Sequence, residues 1–369
     1  MTQRLKLAGC DTGPEELEAI GKVLGSGILT NGPQTLAFER AFAERHQVEH
    51  AVALANGTVA LAGMMIAAGI GPGDEVIVPS MTFISTATSV EHVGATPVFA
   101  DVRADTFNLD PSDVQRRLSK RTKAVMPVHY GGQPADLDEL RLVCDEAGAF
   151  LFEDAAQAHG SEYRGRPVGG IGDAAMFSFT PTKNITTGEG GMITTNNGQW
   201  AERLRLLRTH GQSGVYNHVS LGYNWRMTEM QAAMGFVQMG RLDAILARKH
   251  RNASYLGERL TAARLQPPVA LDDRTHGYML YTLLAAANER NRILDGLLAL
   301  DIEARVYFPP AHKQPIYRKS TAQLLVTEEL AERMLSVPFH SLMSEDDLDR
   351  VADALIGLAP AHAAPLDRN

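Results

Sequence analysis

The chain is short of cysteine: Cys10 and Cys144 lie far apart in 369 residues and form no Cys-x-x-Cys pair. Free thiols in a reducing cytoplasm fit that usage better than a disulfide framework. Blocks of like charge are also missing, and the formal net charge of −8 argues against nucleic acid or an acidic membrane as a partner. No apolar stretch resembles a signal peptide, because Arg4 and Lys6 run into Asp11, Glu15, Glu16 and Glu18. Residues 52–70 form the most apolar run, but Asn56-Gly57-Thr58 interrupts it, which suits a buried helix after a turn rather than a membrane span. There is no Walker loop, no Gly-x-Ser-x-Gly elbow and no metal-spaced His/Cys set; His129, His159 and His210 are scattered. No internal repeat or low-complexity tract appears.

What is present is an ordinary globular composition, 44% hydrophobic and 21% charged. The length exceeds that at which one core keeps growing, so a large and a smaller domain are expected, over 1–240 and 241–369. Helices are expected at 15–25 and 34–46, with ILTNGP (28–33) as a loop between them. A repeated grammar follows: short apolar run, turn, helical segment. HAVALAN precedes a helix from Thr58, DEVIVPS a helix at 85–92, and ATPVFAD a helix at 111–118. KAVMPVHY and AFLFEDA flank the helical LDELRLVCDEAG. Such alternation predicts an α/β fold, a mostly parallel sheet with helices on both faces. Residues 227–260 read as a long helix with Gly235 and Gly240 as kink points. YMLYTLLAA, a helix at 288–300 and IEARVYFPP read as a smaller C-terminal α+β domain. The last dozen residues, with Pro360 and Pro365, are expected to fray.

Ligands collect at the carboxyl ends of strands in such sheets. Asn56-Gly57-Thr58, Asp154 and 178–183 all fall at such ends. In AAMFSFTPTKNITTGEGGMITTN a strand leads through a polar stretch to Lys183, then through a glycine-rich turn to a second strand. That turn, 186–191, permits close backbone approach to a ligand. Asp154 closes an earlier apolar run. A lysine that forms an imine and a carboxylate that keeps a ring nitrogen protonated are the minimum equipment for pyridoxal phosphate chemistry, and suggest an aminotransferase. Lys183 would also carry protons as general base and acid. Gln157 can donate to the ring's phenolic oxygen. Gly57 and Thr58, at a helix start, can bind a phosphate dianion, with Ser178 a second phosphate ligand. Phe83 can stack on the pyridine face. Each has a plainer reading: a surface lysine, an aspartate capping a helix, a phenylalanine in the core, Asn-Gly-Thr as an ordinary turn, Glu153 as a structural ion-pair partner. Asn224 and Arg226 can cap a helix or reach a ligand. Arg305 and His312 lie on a proline-braced loop, either a binding surface or a rigid surface loop.

Together these segments resemble the fold-type I, pyridoxal phosphate-dependent sugar aminotransferases of the DegT/DnrJ/StrS family. The resemblance runs from LTNGP through NGTVAL, GIGPGDEVIVPSMTF, GATPVFADV, LFEDAAQAHG, SFTPTKNITTGEGGMITTN and GYNWRMTEMQAA to PPAHKQPIY, nearly the whole chain in order. ITTGEGGMITTN and GYNWRMTEMQAA look most like its GDP-perosamine synthase branch. The resemblance implies an aspartate-aminotransferase-like fold and a cytoplasmic homodimer with shared active sites. It carries the Schiff-base role to Lys183, the pyridinium partner to Asp154, the phenolic-oxygen contact to Gln157 and the stacking position to Phe83. Gly57, Thr58 and Ser178 match phosphate ligands, and Asn224 matches an asparagine that reaches the other subunit's cofactor phosphate. L-glutamate is the expected amino donor and a nucleotide-linked keto-sugar, most simply a 4-keto-6-deoxy sugar, the acceptor. Thr30, Arg305 and His312 are the candidate substrate contacts. No metal is expected.

Two positions depart from the pattern: Asn56 replaces the usual serine, and FTPTKN differs from the perosamine synthases, leaving the sugar open. Family dehydratases carry histidine in place of the lysine, so Lys183 favours transamination. A cyclitol ketone such as scyllo-inosose, or a lyase or dehydratase reaction, is the alternative within the fold. A nicotinamide oxidoreductase would rest on Gly69-x-Gly71-x-Gly73, which leads into a strand and reads as a turn.

Overall fold

The computed structural model describes residues 4–262 and 266–359; the tail with Pro360 and Pro365 lies outside them. Seven strands build the central sheet: β1 (His50–Leu54), β2 (Glu75–Pro79), β3 (Thr96–Ala100), β4 (Thr122–Val125) and β5 (Phe150–Asp154), then, after a short hairpin of β6 (Glu162–Tyr163) and β7 (Arg166–Pro167), β8 (Ala174–Ser178) and β9 (Gly191–Thr195). Their order is β1-β9-β8-β5-β4-β2-β3. Within this sheet only β9 runs against the rest, antiparallel to both β1 and β8. The remaining neighbours pair in parallel. Gly69–Gly73 enters β2 rather than a helix, which removes the dinucleotide-binding reading.

The strands read as continuous apolar runs because both faces are covered. Val52, Leu54, Val76, Val78, Phe152 and Met176 point to one face, where they meet Leu61, Met64 and Met65 of α3 (Gly57–Ala67) and Leu204 of α7 (Gly198–Leu207). Their alternates point the other way. Ala51, Ala53, Ala175 and Phe177 pack on Phe38 and Phe42 of α2 (Pro33–Arg45) and on Leu242 and Ile245 of α8 (Glu229–Ala262). Ile77, Val125 and Leu151 pack on Val114 of α5 (Pro111–Arg117) and Leu140 of α6 (Leu137–Ala147). The period of two thus separates two cores across one sheet.

The smaller unit pairs β11 (Tyr281–Leu284) with β12 (Met334–Val337) under α9 (Arg290–Ala299) and α11 (Glu345–Leu358). The expected kinks at Gly235 and Gly240 are not seen as breaks: α8 is one helix through both. Gly235 serves packing instead, because a Cβ there would stand 2.6 Å from the Phe38 ring. A division at 240/241 therefore falls inside a continuous helix. Leu5 bridges to Ile302 and joins the C-terminal core, a long-range contact with no sequence signal.

Glu153 is among the charged residues buried in this interior. Glu153 accepts from the amides of Gly169 (3.0 Å), Ile171 (3.1 Å) and Gly172 (2.6 Å), and lies 3.1 Å from His129 Nε2. His129 Nδ1 accepts from the Ala135 amide, so Nε2 carries the proton it gives to Glu153. These donors hold the Glu153 carboxyl below its ordinary pKa against the opposing effect of burial. Its structural reading stands. A carboxyl depressed in the folded state contributes stability above its unfolded pKa, about 4.3, and loses it as pH falls through the folded value. Glu153→Gln is expected to lower unfolding free energy by about 3 kcal/mol at pH 7. In denaturant titrations the gap from the unmutated protein should close progressively below about pH 4.3; a gap independent of pH would disprove the charge's role.

Candidate active site

The parallel strands end on one edge of the sheet, and their order sets the layout of the site. The ends of β1 and β8 bring Gly57 and Ser178 together, the end of β5 supplies Asp154 beside them, and the segment after β2 supplies Phe83 and Thr86. Lys183 lies on the connection between β8 and β9. That connection is a closed lasso: the Phe179 amide donates to Gly190 O, the Thr187 amide and Thr186 Oγ1 to Phe179 O. Asn184, Ile185, Thr186 and Thr187 are buried, which anchors the chain on one side of the lysine.

Asp154 is 4% exposed, accepts from Thr86 Oγ1 at 2.7 Å and from the Ala156 amide at 3.2 Å, and makes no ion pair among the described residues. Burial pushes its pKa up, with the two hydrogen bonds and Lys183 opposing. Lys183 is half-buried, and its amine lies 3.9 Å from Met279 Sδ. Burial pushes its pKa down to about 8 and Asp154 only partly restores it. At pH 8 about half of such amines are neutral, against well under about 1% for an ordinary lysine. An amine poised near neutrality is a nucleophile for a carbonyl. A buried carboxyl short of a cation suits a protonated ring nitrogen.

The remaining residues fit a phosphorylated pyridine. A Cβ on Gly57 would sit 2.9 Å from Ser178 Cβ, so glycine is what allows the two to meet. Asn56 Oδ1 accepts from the Val59 amide at 3.0 Å, leaving the Gly57 and Thr58 amides as free donors at the start of α3. Phe83 is 56% exposed, as a ring with an open stacking face must be, and touches Phe308 at its edge. Gln157 is buried with Oε1 fixed by the Gly131 amide at 2.8 Å, so Nε2 is the donor left for a ligand. In the 186–191 turn Gly191 lets β9 approach the Asn56 carbonyl, where a Cβ would come within 2.4 Å.

The other candidate residues divide. Asn224 is exposed and its side chain has no partner among the described residues. Thr30 is exposed and bridges Thr228 before α8, and Arg305 is exposed on a backbone bridge to Ser336. His312 is a correction: it is buried, with Nδ1 2.6 Å from Ser80 Oγ and Nε2 3.2 Å from Glu328 Oε1. Both ring nitrogens are taken, so it braces the loop rather than facing a sugar. Thr86 was missed, since one threonine in FIST gives no sign of reaching Asp154. A cavity of about 940 Å³ beside Arg141, Phe150 and Trp200 opens at the opposite edge of the sheet and is lined by none of these residues. No group of residues able to hold a metal occurs among the described residues.

The sequence pattern of the DegT/DnrJ/EryC1/StrS aminotransferase family matches residues 11–356. The chain belongs to that family. It is 44% identical over 339 residues to GDP-perosamine synthase of Caulobacter vibrioides, covering 89% of this chain and 91% of that one. The crystal structure of S. venezuelae DesV with a ketimine intermediate superposes with a TM-score of 0.93 at 36% identity, over 98% of this chain and 100% of that one. A Streptococcus pneumoniae protein described as a sugar aminotransferase, Spr1654, superposes in PLP and PMP forms with a TM-score of 0.92 at 28% identity, over 96% of this chain and 97–98% of its own. The protein is thus a fold-type I, pyridoxal phosphate-dependent sugar aminotransferase, and neither the oxidoreductase, the cyclitol nor the dehydratase reading is favoured. Among the described residues no helix is long and apolar enough to cross a membrane.

Thr86 supplies the side-chain hydrogen bond to Asp154. Thr86→Val keeps the shape and removes the donor, so coenzyme affinity is expected to fall about tenfold to a hundredfold. Fluorescence titration of the apo-protein with pyridoxal phosphate measures this; unchanged affinity would refute the support assigned to Thr86.

Proposed function

We propose that this enzyme moves an amino group from L-glutamate to a nucleotide-linked keto-sugar, a 4-keto-6-deoxy sugar as in GDP-perosamine synthesis. The observation that carries the reading is the pairing of a depressed Lys183 amine with an uncompensated, buried Asp154 at the strand ends. Pyridoxal phosphate, when bound, supplies an aldehyde for the amine and a ring that draws off carbanion charge. Asp154 would hold the ring nitrogen's proton, and Gln157 would donate to the phenolic oxygen. Gly57, Thr58 and Ser178 would hold the phosphate, and Phe83 would cover one ring face. Lys183, once released, would move a proton at its Nζ, and its depressed pKa suits it to act in either direction near neutral pH. The GDP-perosamine synthase relative supports the choice of sugar class.

Residues 1–240 would form the large cofactor-binding domain and 241–369 the small one, joined through α8. Thr30 and Arg305, both open to solvent, remain the candidate sugar contacts. The working unit would be a cytoplasmic homodimer with shared sites. An arm around 212–223 supports this: Val215, Tyr216, Val219, Leu221 and Tyr223 are all exposed there, next to Asn224, whose side chain has no partner among the described residues. Such an apolar patch is of the kind a second copy covers.

Lys183→Ala is expected to lower kcat by about 10²–10⁴-fold or more, and borohydride should fix the coenzyme to Lys183 in the unmutated enzyme, read by peptide mass. Normal turnover in that variant would end the assignment. A panel of nucleotide keto-sugars against scyllo-inosose tests the acceptor. Asn224→Ala is expected to loosen the coenzyme, and subunit exchange with Lys183→Ala dimers should restore a single working site per mixed dimer. Absence of recovery after verified exchange would count against shared sites.

A further inference from the structure

Lys249, on α8, is 4% exposed, and among the described residues its amino group contacts two oxygens and no carboxylate. Nζ donates to Asn184 Oδ1 at 2.8 Å and to the Tyr278 carbonyl at 2.9 Å. The Phe339 ring lies beneath it, 5.7 Å from Nζ to the centroid. Burying an amine without a counter-ion is costly, and a merely apolar filler would pack there more cheaply. Burial pushes its pKa down to about 7, and even as a neutral amine it retains two N–H groups for its two acceptors.

Those acceptors are the neighbours of the residues that define the lysine's place. Asn184 follows Lys183 in the chain. Tyr278 precedes Met279, whose sulfur lies 3.9 Å from Lys183 Nζ. The second arm of Asn184, Nδ2, donates to the Gly277 carbonyl at 2.7 Å, closing the same junction. The 277–280 segment is tied in turn to Gly132 and Gly131 through the amides of Gly277 and Leu280. Gly131 also donates to Gln157.

We propose that Lys249 is a positioning residue that staples the lasso carrying Lys183 to the Tyr278–Met279 segment, and so sets the lysine's approach to the coenzyme. It touches neither coenzyme nor substrate and acts through Asn184. The proposal rests on Lys183 being the imine-forming amine.

The experiment compares holoenzyme with Lys249→Met, Asn184→Ala and the double variant. It reads the pH midpoint of the visible coenzyme band together with kcat and both KM values. Each single variant should move that midpoint by about one pH unit or more. Each should lower kcat about tenfold with KM values within about threefold. The double variant should fall short of the sum of the two single effects, because both break the Lys249–Asn184 bond. Asn184→Ala leaves Lys249 its Tyr278 bond, so it carries the test if Lys249→Met does not fold. An unmoved midpoint with kcat within about twofold, or additive effects in the double variant, would overturn the staple. Borohydride labelling of the unmutated enzyme separates the two ideas. A label elsewhere than Lys183 overturns both; a label on Lys183 with variants behaving as the unmutated enzyme overturns the staple alone.

Discussion

Two buried ionisable groups, Asp154 and Lys183, are each driven toward their neutral forms, and the organisation of the large domain follows from holding them in that condition. Burial raises the one and lowers the other, and their mutual attraction restores each only in part. Neither is satisfied by the protein alone. Asp154 makes no ion pair among the described side chains, and the one hydrogen-bond contact of the Lys183 amine among them is the Met279 sulfur. A pyridine nitrogen holding a proton against the carboxylate, and an aldehyde taking the amine, would relieve both at once. In the proposed role, the incomplete electrostatics of the site would favour coenzyme binding.

Other buried carboxylates give the contrast that makes this argument. Glu153 is as deeply placed as its neighbour Asp154, yet its pKa moves the opposite way because three backbone amides and His129 donate to it. Glu229 at the start of α8 accepts from the Gln34 and Thr35 amides and from Thr35 Oγ1, capping α2, and is likewise depressed. Saturated carboxylates of this kind hold loops to the frame. Burial alone therefore does not mark a functional acid; burial with too few donors does.

The sheet was legible in the residues because strand burial on both faces leaves unbroken apolar runs bounded by turns. That Gly57, Asp154 and Ser178 gather at one edge of the sheet was legible because strand ends can be counted along the chain. What could not be read were side chains whose partners lie far away. His312 looked like a ligand group on a proline-braced loop, but Ser80 and Glu328 occupy it. Leu5 belongs to the C-terminal core through Ile302, and nothing local distinguishes it from any other leucine near a chain start. Gly235 read as a kink because glycine weakens helices, whereas the Phe38 ring demands its missing side chain.

Asn56 shows how one departure from the family pattern is absorbed. The usual serine there would present a hydroxyl to the phosphate. The asparagine turns its Oδ1 onto the Val59 amide and becomes the N-cap of α3. That cap takes the Val59 amide and, by fixing the first turn, orients the amides that remain. The Gly57 and Thr58 amides have no intrahelical acceptor and keep the partial positive charge of the helix terminus. Because Gly57 has no side chain, Ser178 can close on them from β8. Phosphate binding there would then depend on backbone placement more than on any side chain of the turn, and an Asn-for-Ser exchange would be tolerated where a Gly57 exchange would not.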